Sequence, residues 1–254
     1  SDGSNRTKKI KQKELQIKYD WVGFKKYKRV INDQEYQDAA KFTFIYVIVS
    51  VVIEIILGLF LAFLFNRRIY GRGFMRSLMI LPIFATPFAI GFMFFTILFE
   101  ISGPLAWMGI PFLSNHNWAP FSVMLVDVWQ WTPFCFLVFL AALQGIPDDL
   151  IEAATLDTKS AYKIWTSVIL PLLQPIIVLV ILLRVAESAK LYDYIASLTK
   201  GGPGTATQSV SFLVFNKAFK MNDFGYASAG SFLMLIVVMV FVMLFFTRLR
   251  KTYE

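Results

Sequence analysis

Long apolar runs recur along this chain, and each is close to the length needed to cross the hydrocarbon core of a membrane. Five runs are predicted as spans, at residues 42–65, 77–99, 119–143, 171 to about 194, and 226–247. They lack the alternation of barrel strands, so helices remain the way to satisfy their backbone groups in lipid. With 57% hydrophobic and 17% charged residues, the 254-residue chain is predicted to be an all-α polytopic membrane protein.

The net charge of +8 is better explained by membrane topology than by binding to nucleic acid. Basic residues lie between the apolar runs, and no nucleic-acid-binding motif accompanies them. The single cysteine, Cys135, lies in an apolar run and is interpreted as a packing residue. His116 is the only histidine, so the sequence predicts neither a metal site nor a histidine-based catalytic centre.

The short connections predict the orientation. Residues 66–76 contain four arginines and the tail after residue 247 contains three basic residues, whereas residues 100–118 contain neither lysine nor arginine. Lysine and arginine are retained on the cytoplasmic side of membranes. The first loop, the loop 144–170 and the tail are therefore predicted to be cytoplasmic, and 100–118 and 195–225 external.

This topology divides the chain into three predicted parts. They are a polar, basic segment 1–41 that is external or at the membrane surface, a membrane domain 42–247, and a basic cytoplasmic tail 248–254. If the first segment is external, the nine basic residues between Lys8 and Arg29 lie outside the cell, in conflict with the retention of lysine and arginine on the cytoplasmic side. A further span before residue 1 would remove this conflict. We interpret this segment as solvated chain that touches lipid headgroups.

The loop 144–170 contains the most informative motif. A short helix is predicted there, because Pro147 suits a first helical position and two aspartates follow it at the positive end of the helix dipole. One face of this helix is apolar and consists of Leu150, Ile151 and Ala154. A helix between two spans cannot bury such a face by itself, so it is expected to dock against another protein.

This loop resembles the EAA motif of binding-protein-dependent importer permeases. The residues that match the family at the right spacing are Glu152, Ala153, Ala154, Leu170 and Pro171, with Val168 at the family's isoleucine position and Asp157 in register. Thr158 stands where the family has glycine, and a β-branched residue disfavours the left-handed turn that glycine allows. Thr158 would instead cap the following helix. The alternative is an ordinary amphipathic loop helix.

The resemblance implies the helical bundle of a type I importer permease in a prokaryotic plasma (inner) membrane. It implies that the loop is a coupling helix, in which Glu152 makes a polar contact with an ATPase and two alanines pack closely against it. The implied partners are a second homologous permease, an ATPase dimer and an extracellular or periplasmic solute-binding protein. Since the chain has no GxxxxGK[ST] motif, ATP and Mg²⁺ are expected in the ATPase, and the chain itself is expected to be neither an enzyme nor a cofactor-binding protein.

Other segments resemble the carbohydrate branch of that family, close to the larger permease of maltose-type systems. They are 22–27, Glu54, Gly58, 72–76, 198–207, Phe219 and 224–229. The resemblance implies transport of a mono- or oligosaccharide. The alternatives are a non-sugar or acidic saccharide solute in the same family, or an ATP-independent carrier or channel.

The fourth run is unusual because ionisable residues recur in it at helical spacing. Charges at such depth usually face a cavity, the bundle interior or one another. One interpretation is mutual pairing, of Arg184 with Glu187 and of Glu187 with Lys190, which stabilises the bundle. The other is a translocation pathway, lined near its outer end by Glu187, Lys190, Tyr192 and Asp193.

A second polar and aromatic cluster lies in the third run and consists of Asp127, Gln130 and Trp131. Carboxylates and amides beside aromatic rings suit the hydroxyl groups and C–H faces of sugars, so these residues are also predicted to line the pathway. Trp107 and Trp118 are interpreted as interfacial anchors. An acidic saccharide would find partners in Arg184 and Lys190, so the charge of the solute stays open at this point.

Overall fold

A computed structural model describes residues 23–66 and 70–253, with side chains described as far as residue 247. Within these ranges the chain forms helices and connecting turns, without strands. The predicted basic stretch before residue 23, Arg67 and Arg68, and the basic side chains of the tail lie outside the described residues. The all-α class predicted from the apolar runs is confirmed.

The helices are numbered along the chain, and their bounds are as follows. They are α1 (Lys25–Ile31), α2 (Gln34–Asn66), α3 (Arg72–Ile80) with a 3₁₀ turn (Leu81–Phe84), α4 (Pro87–Leu98), α5 (Trp118–Gln144), α6 (Asp148–Asp157), α7 (Ala161–Ile164) with a π turn (Trp165–Ile169), α8 (Leu170–Ser188), a π turn (Ile195–Thr199), α9 (Val210–Phe215) with a π turn (Asn216–Lys220), and α10 (Phe224–Tyr253).

Four of these helical segments are long and apolar enough to cross a membrane: α2, α5, Ala161–Ser188 and Phe224–Thr247. A fifth span is possible if the bent pair Arg72–Phe84 and Pro87–Leu98 counts as one. The predicted boundary at residue 41 lies inside α2, so the end of the polar segment and the first span share one helix.

The second span was predicted as one helix over 77–99, and this is wrong, because the two halves of the pair meet at 100°. Thr86 has an extended backbone (φ −68°, ψ 143°) and its side chain caps α4 by accepting a hydrogen bond from the amide of Ala89. Pro87 follows it, and a residue before proline avoids the helical region. The break is therefore encoded locally.

The fourth span also differs from its prediction, because it begins at Ala161 and ends at Ser188 rather than near Tyr194. Serines from the start of α9 bind carbonyls of the turn just beyond the end of this helix. Ser209 donates a hydrogen bond to the carbonyl of Leu191, and Ser211 donates one to the carbonyl of Ala189. These side chains satisfy the carbonyl of the C-cap residue Ala189 and that of Leu191 in the turn that follows.

Helices α2 and α5 form the central pair and run parallel. A Cβ added to Gly58 would lie 2.6 Å from Cβ of Cys135, and the rings of Phe65 and Phe136 lie 5.6 Å apart. Since the two helices run the same way, the chain between them must return along the bundle through the bent pair. Cys135 is a buried, free thiol at the point of closest approach.

Segment Ala161–Ser188 runs antiparallel to α2, since its first part packs on the last part of that helix. The rings of Trp165 and Phe63 lie 5.1 Å apart, and near the other end Arg184 binds Glu54. The bundle therefore has an α6 end and an α1 end. The loop 144–170 and the segment 195–225 lie at opposite ends, in agreement with the predicted topology, and which end faces the cytoplasm stays a prediction.

Ion pairs at the α1 end fix the short first helix to the bundle. Asp223 accepts hydrogen bonds from Lys26 (3.2 Å) and Arg29 (2.8 Å), and Lys217 pairs with Glu35 at 2.6 Å. Two of the basic residues that were expected to touch lipid headgroups therefore have carboxylate partners within the chain.

Candidate functional site

A buried ionic cluster joins the three central spanning segments. Arg184 of α8 donates to both carboxylate oxygens of Glu54, at 2.6 and 2.8 Å, and to those of Asp127, at 3.2 and 3.3 Å. It also donates to the hydroxyl of Ser188 at 3.0 Å. The three charged residues are 0–2% exposed. Arg184 thus binds α2 and α5 rather than Glu187, the partner that one interpretation of the sequence gave it.

The other predicted pair is present. Lys190 donates to Glu187 at 2.8 Å, and both side chains are exposed. They lie at the end of α8 and in the turn that follows it, not on one continuous helical stripe that extends to residue 194. This pair therefore neutralises two charges beside the buried cluster without joining it.

A chain of hydrogen bonds connects this region to the break in the bent pair. Nε1 of Trp131 donates to the hydroxyl of Tyr194 at 3.1 Å, and that hydroxyl donates to Oε1 of Gln130 at 2.7 Å. Nε2 of Gln130 then donates to the carbonyl of Ala85 at 2.8 Å. The guanidinium of Arg184 lies over the face of Trp131, with its Cζ 4.6 Å from the ring centroid. Gln130 therefore satisfies a carbonyl freed by the break.

The predicted pathway residues, except Gln130, line one cavity of about 160 Å³. Its wall contains Asp127, Trp131, Glu187, Lys190, Tyr192 and Asp193, together with Tyr46, Pro87, Arg184 and Tyr194. Residues from the third and fourth predicted spans thus meet at one place. Their role in transport is not tested by this geometry and stays a prediction.

The predicted coupling motif lies on α6, which joins two spanning segments at one end of the bundle. The helix begins at Asp148, so Pro147 is its N-cap residue and not its first helical residue as predicted. Ala154 is buried, whereas Glu152 and Ala153 are exposed. Leu156 is 89% exposed. A helix with exposed apolar and acidic residues at the end of the bundle can bind another protein.

The turn after this helix differs from the predicted capping. Thr158 has an extended backbone (φ −151°, ψ 137°), so it needs no left-handed conformation. Ser160, not Thr158, caps α7, and accepts a hydrogen bond from the amide of Lys163 at 3.4 Å. The hydroxyl of Thr158 accepts one from the amide of Ser160 at 3.3 Å. Asp157 is the last residue of α6, and Leu170 and Pro171 open α8.

Comparison with known families decides the identity of the fold. A family described as the binding-protein-dependent transport system inner membrane component matches residues 54–254. The chain belongs to this family. The resemblance seen in the loop 144–170 is thereby confirmed, and the protein is a multi-pass membrane permease.

Individual permeases and a solved structure agree with this assignment. The chain is 37% identical over 233 residues to the trehalose/maltose transport system permease protein MalF of Thermococcus litoralis, covering 89% of this chain and 78% of that protein. It is 32% identical over 241 residues to the trehalose transport system permease protein SugA of Mycobacterium tuberculosis, covering 89% and 75%. A bacterial ABC transporter involved in the import of the acidic polysaccharide alginate shares the fold, with a TM-score of 0.82, 21% identity and coverage of 98% of this chain and 90% of that chain.

In this permease a carboxylate also fixes the loop at 100–117. Glu100 accepts hydrogen bonds from the amides of Leu113 (2.6 Å) and Ser114 (2.7 Å). Partial burial acts to raise the pKa of Glu100, but hydrogen bonds from the side chain and amide of Ser114 and from the amide of Leu113 hold it below its ordinary value. Trp107, interpreted as an interfacial anchor, is 81% exposed on this loop.

Sequence reasoning missed several cavity residues of the permease. Tyr46 and Tyr194 line the cavity, but Tyr46 lies in a largely apolar stretch of α2 (42–49), and Tyr194 lies beyond the end of α8, which the sequence failed to place. Pro87 was also missed. Pro87 could have indicated that a new helix begins at this point, because proline is favoured in the first turn of a helix.

Proposed function

We propose that this chain is one of two permease subunits of an ATP-driven carbohydrate importer in a prokaryotic plasma (inner) membrane. The names of the relatives at 37% and 32% identity support a sugar as the solute. The cavity supports it as well, because Asp127 and Asp193 can accept hydrogen bonds from hydroxyl groups, and Trp131 offers a ring to the C–H face of a sugar.

The observation that carries the proposal is the position of α6. This helix presents Glu152 and Ala153 at the end of the bundle and leads, after one turn, into the segment Ala161–Ser188 that holds Arg184. A groove in a partner ATPase dimer would take the helix, with Glu152 as the polar contact. Closure of the ATPase on ATP and Mg²⁺ would then move the segment, and with it the cavity wall.

One such bundle encloses half of a pathway. A second, homologous permease completes it, and a solute-binding protein delivers the sugar at the α1 end, which this proposal places outside the cell. The transport cycle is alternating access, in which the cavity opens to one side of the membrane at a time. The chain contributes no nucleotide site to this cycle.

Co-purification tests the coupling role. Glu152→Lys is expected to leave at least about tenfold less ATPase bound to the permease after washing, because reversing a charge at a packed contact costs several kcal/mol. Asp38→Lys is the matched control, since it makes the same change of charge at an exposed position near the opposite end of the bundle.

Both variants must elute from size-exclusion chromatography as the native permease does, so that a lost ATPase reports on the contact. Equal retention of the ATPase by Glu152→Lys and the native chain would contradict the coupling role. Uptake of sugar by membranes that lack any ATPase would contradict the proposal as a whole.

A further inference from the structure

The cations that line the cavity are already occupied by carboxylates. Arg184 binds Glu54 through two nitrogens and also contacts Asp127, and Lys190 binds Glu187. Among the described residues that line the cavity, no lysine or arginine is left without an acidic partner. An anionic solute entering this space would find no free cation on the wall formed by the described residues of this chain.

Negative charge is in excess at the same place. Asp127, Glu187 and Asp193 line the cavity, and Glu54 lies directly behind Arg184. Four carboxyl groups thus face two cations, and the carboxylates still outnumber the cations if one buried carboxyl group holds a proton. Asp193 forms no ion pair within the part of the chain that the structure describes, and its side chain is exposed. Like charges at short range in a partly enclosed site repel strongly.

The remaining wall suits an uncharged, polyhydroxylated molecule. Trp131, Tyr192 and Tyr194 contribute rings, and Ser188 contributes a hydroxyl. Carboxylate oxygens accept hydrogen bonds from hydroxyl groups without requiring charge on the solute. Aromatic rings pack on the C–H faces of such molecules.

We infer that this cavity admits uncharged saccharides and repels anionic ones. The inference rests on the proposed function and specifies its solute class. It separates this permease from the alginate importer, which shares the fold but is involved in the import of an acidic polysaccharide. At 21% identity that likeness extends to the fold and not to the charge of the solute.

Cysteine modification measures the charge of the cavity directly. Tyr192→Cys places a thiol in the cavity wall, and Thr205→Cys places a reference thiol at an exposed, uncharged position in the loop at 200–209. The native Cys135 is buried, and the unsubstituted chain measures its background. The probes are a neutral methanethiosulfonate and its anionic sulfonate analogue, applied to the full chain in lipid nanodiscs with its co-purifying subunits.

The measured quantity is the rate of the anionic reagent divided by the rate of the neutral reagent. This ratio is expected to be at least about tenfold lower at Tyr192→Cys than at Thr205→Cys. Adding Glu187→Gln should bring the ratio closer to one, because it removes one carboxylate and frees Lys190. A neutral disaccharide should slow the modification, and its uronic-acid counterpart should not.

An anionic reagent that reacts as fast as the neutral one would overturn the inference, and so would protection by the uronic acid. Failure of both reagents to react would also overturn it, since the cavity would then be closed to solutes. The proposed function fails separately. If the complex shows the expected ratio of rates but no ATP-dependent uptake of sugar, the inferred charge selectivity stands and the proposed function as an importer is contradicted.

Discussion

Removal of the buried arginine should destabilise the permease far more than removal of the entire cluster. In Arg184→Met, Glu54 and Asp127 lose their shared cation while they are at most 2% exposed. Deleting one partner of a buried ion pair typically costs about 3–5 kcal/mol, because the remaining charge is left uncompensated. Here two carboxylates are left, so the upper half of that range is expected.

The midpoint of thermal unfolding is measured in detergent micelles, with unfolding monitored as loss of the monodisperse peak in size-exclusion chromatography. For a chain of this size, a loss of about 4–5 kcal/mol corresponds to a midpoint lower by roughly 8–20 °C. Arg184→Lys keeps the charge but cannot bind one carboxylate through two nitrogens, so its midpoint should lie between those of Arg184→Met and the native chain.

The decisive comparison is the triple variant that combines Arg184→Met with Glu54→Gln and Asp127→Asn. This variant has no buried charge left to compensate, so it should recover much of the stability lost in Arg184→Met. Replacing a buried ionic cluster with uncharged side chains often changes the free energy of unfolding little. A midpoint for Arg184→Met within about 2 °C of the native value would refute the reasoning. A triple variant less stable than Arg184→Met would refute it too.

Two further predictions concern packing and pH. Gly58→Ala should cost about 1–3 kcal/mol of stability by forcing the two central helices apart at Cys135, whereas Gly73→Ala, a helical position with open space around it, should be neutral or slightly stabilising in the same thermal assay. Glu100 has a lowered pKa in the folded chain, so its hydrogen bonds stabilise the fold above the ordinary pKa of the carboxyl group, and that contribution is lost as the pH falls through the lowered value. Hydrogen exchange of the Ser114 amide, corrected for its intrinsic pH dependence, should show protection that decreases as the pH falls through the lowered pKa of Glu100. If the amide is protected equally in Glu100→Gln and in the native chain at all pH values, the stabilising role of the Glu100 carboxylate is contradicted.

The approximate positions of four of the five predicted spans could be read from the sequence, because the length of an apolar run is a local property. The break at Thr86 could also have been predicted, since Pro82 and Pro87 lie on either side of it in the predicted second span. The end of the fourth span could not, because the turn that follows it is held by hydrogen bonds from Ser209 and Ser211, about twenty residues later.

The buried cluster shows the same limit more sharply. Helical spacing placed Arg184 near Glu187, and a pairing between neighbours on one helix followed from that spacing. The structure instead pairs Arg184 with Glu54, 130 residues away, because a charge deep in an apolar bundle is stabilised most by a partner that is equally buried. Glu187 is exposed and pairs with Lys190. Burial, which the spacing does not contain, decides between the two partners.

The segment Ala161–Ser188 also connects α6 with the cavity, the two regions to which the proposed function assigns coupling and transport. From Ala161 to Arg184 the helix rises by about 35 Å, so the cluster lies far along the axis from α6, and the cavity wall at Glu187 follows within one turn. A helix anchored at Arg184 to both α2 and α5 transmits a displacement of α6 to the cavity only if the cluster moves with it or acts as a pivot. In either case the buried charges lie between α6 and the cavity, so under the proposed function the cluster would be part of the route by which movement of α6 reaches the solute.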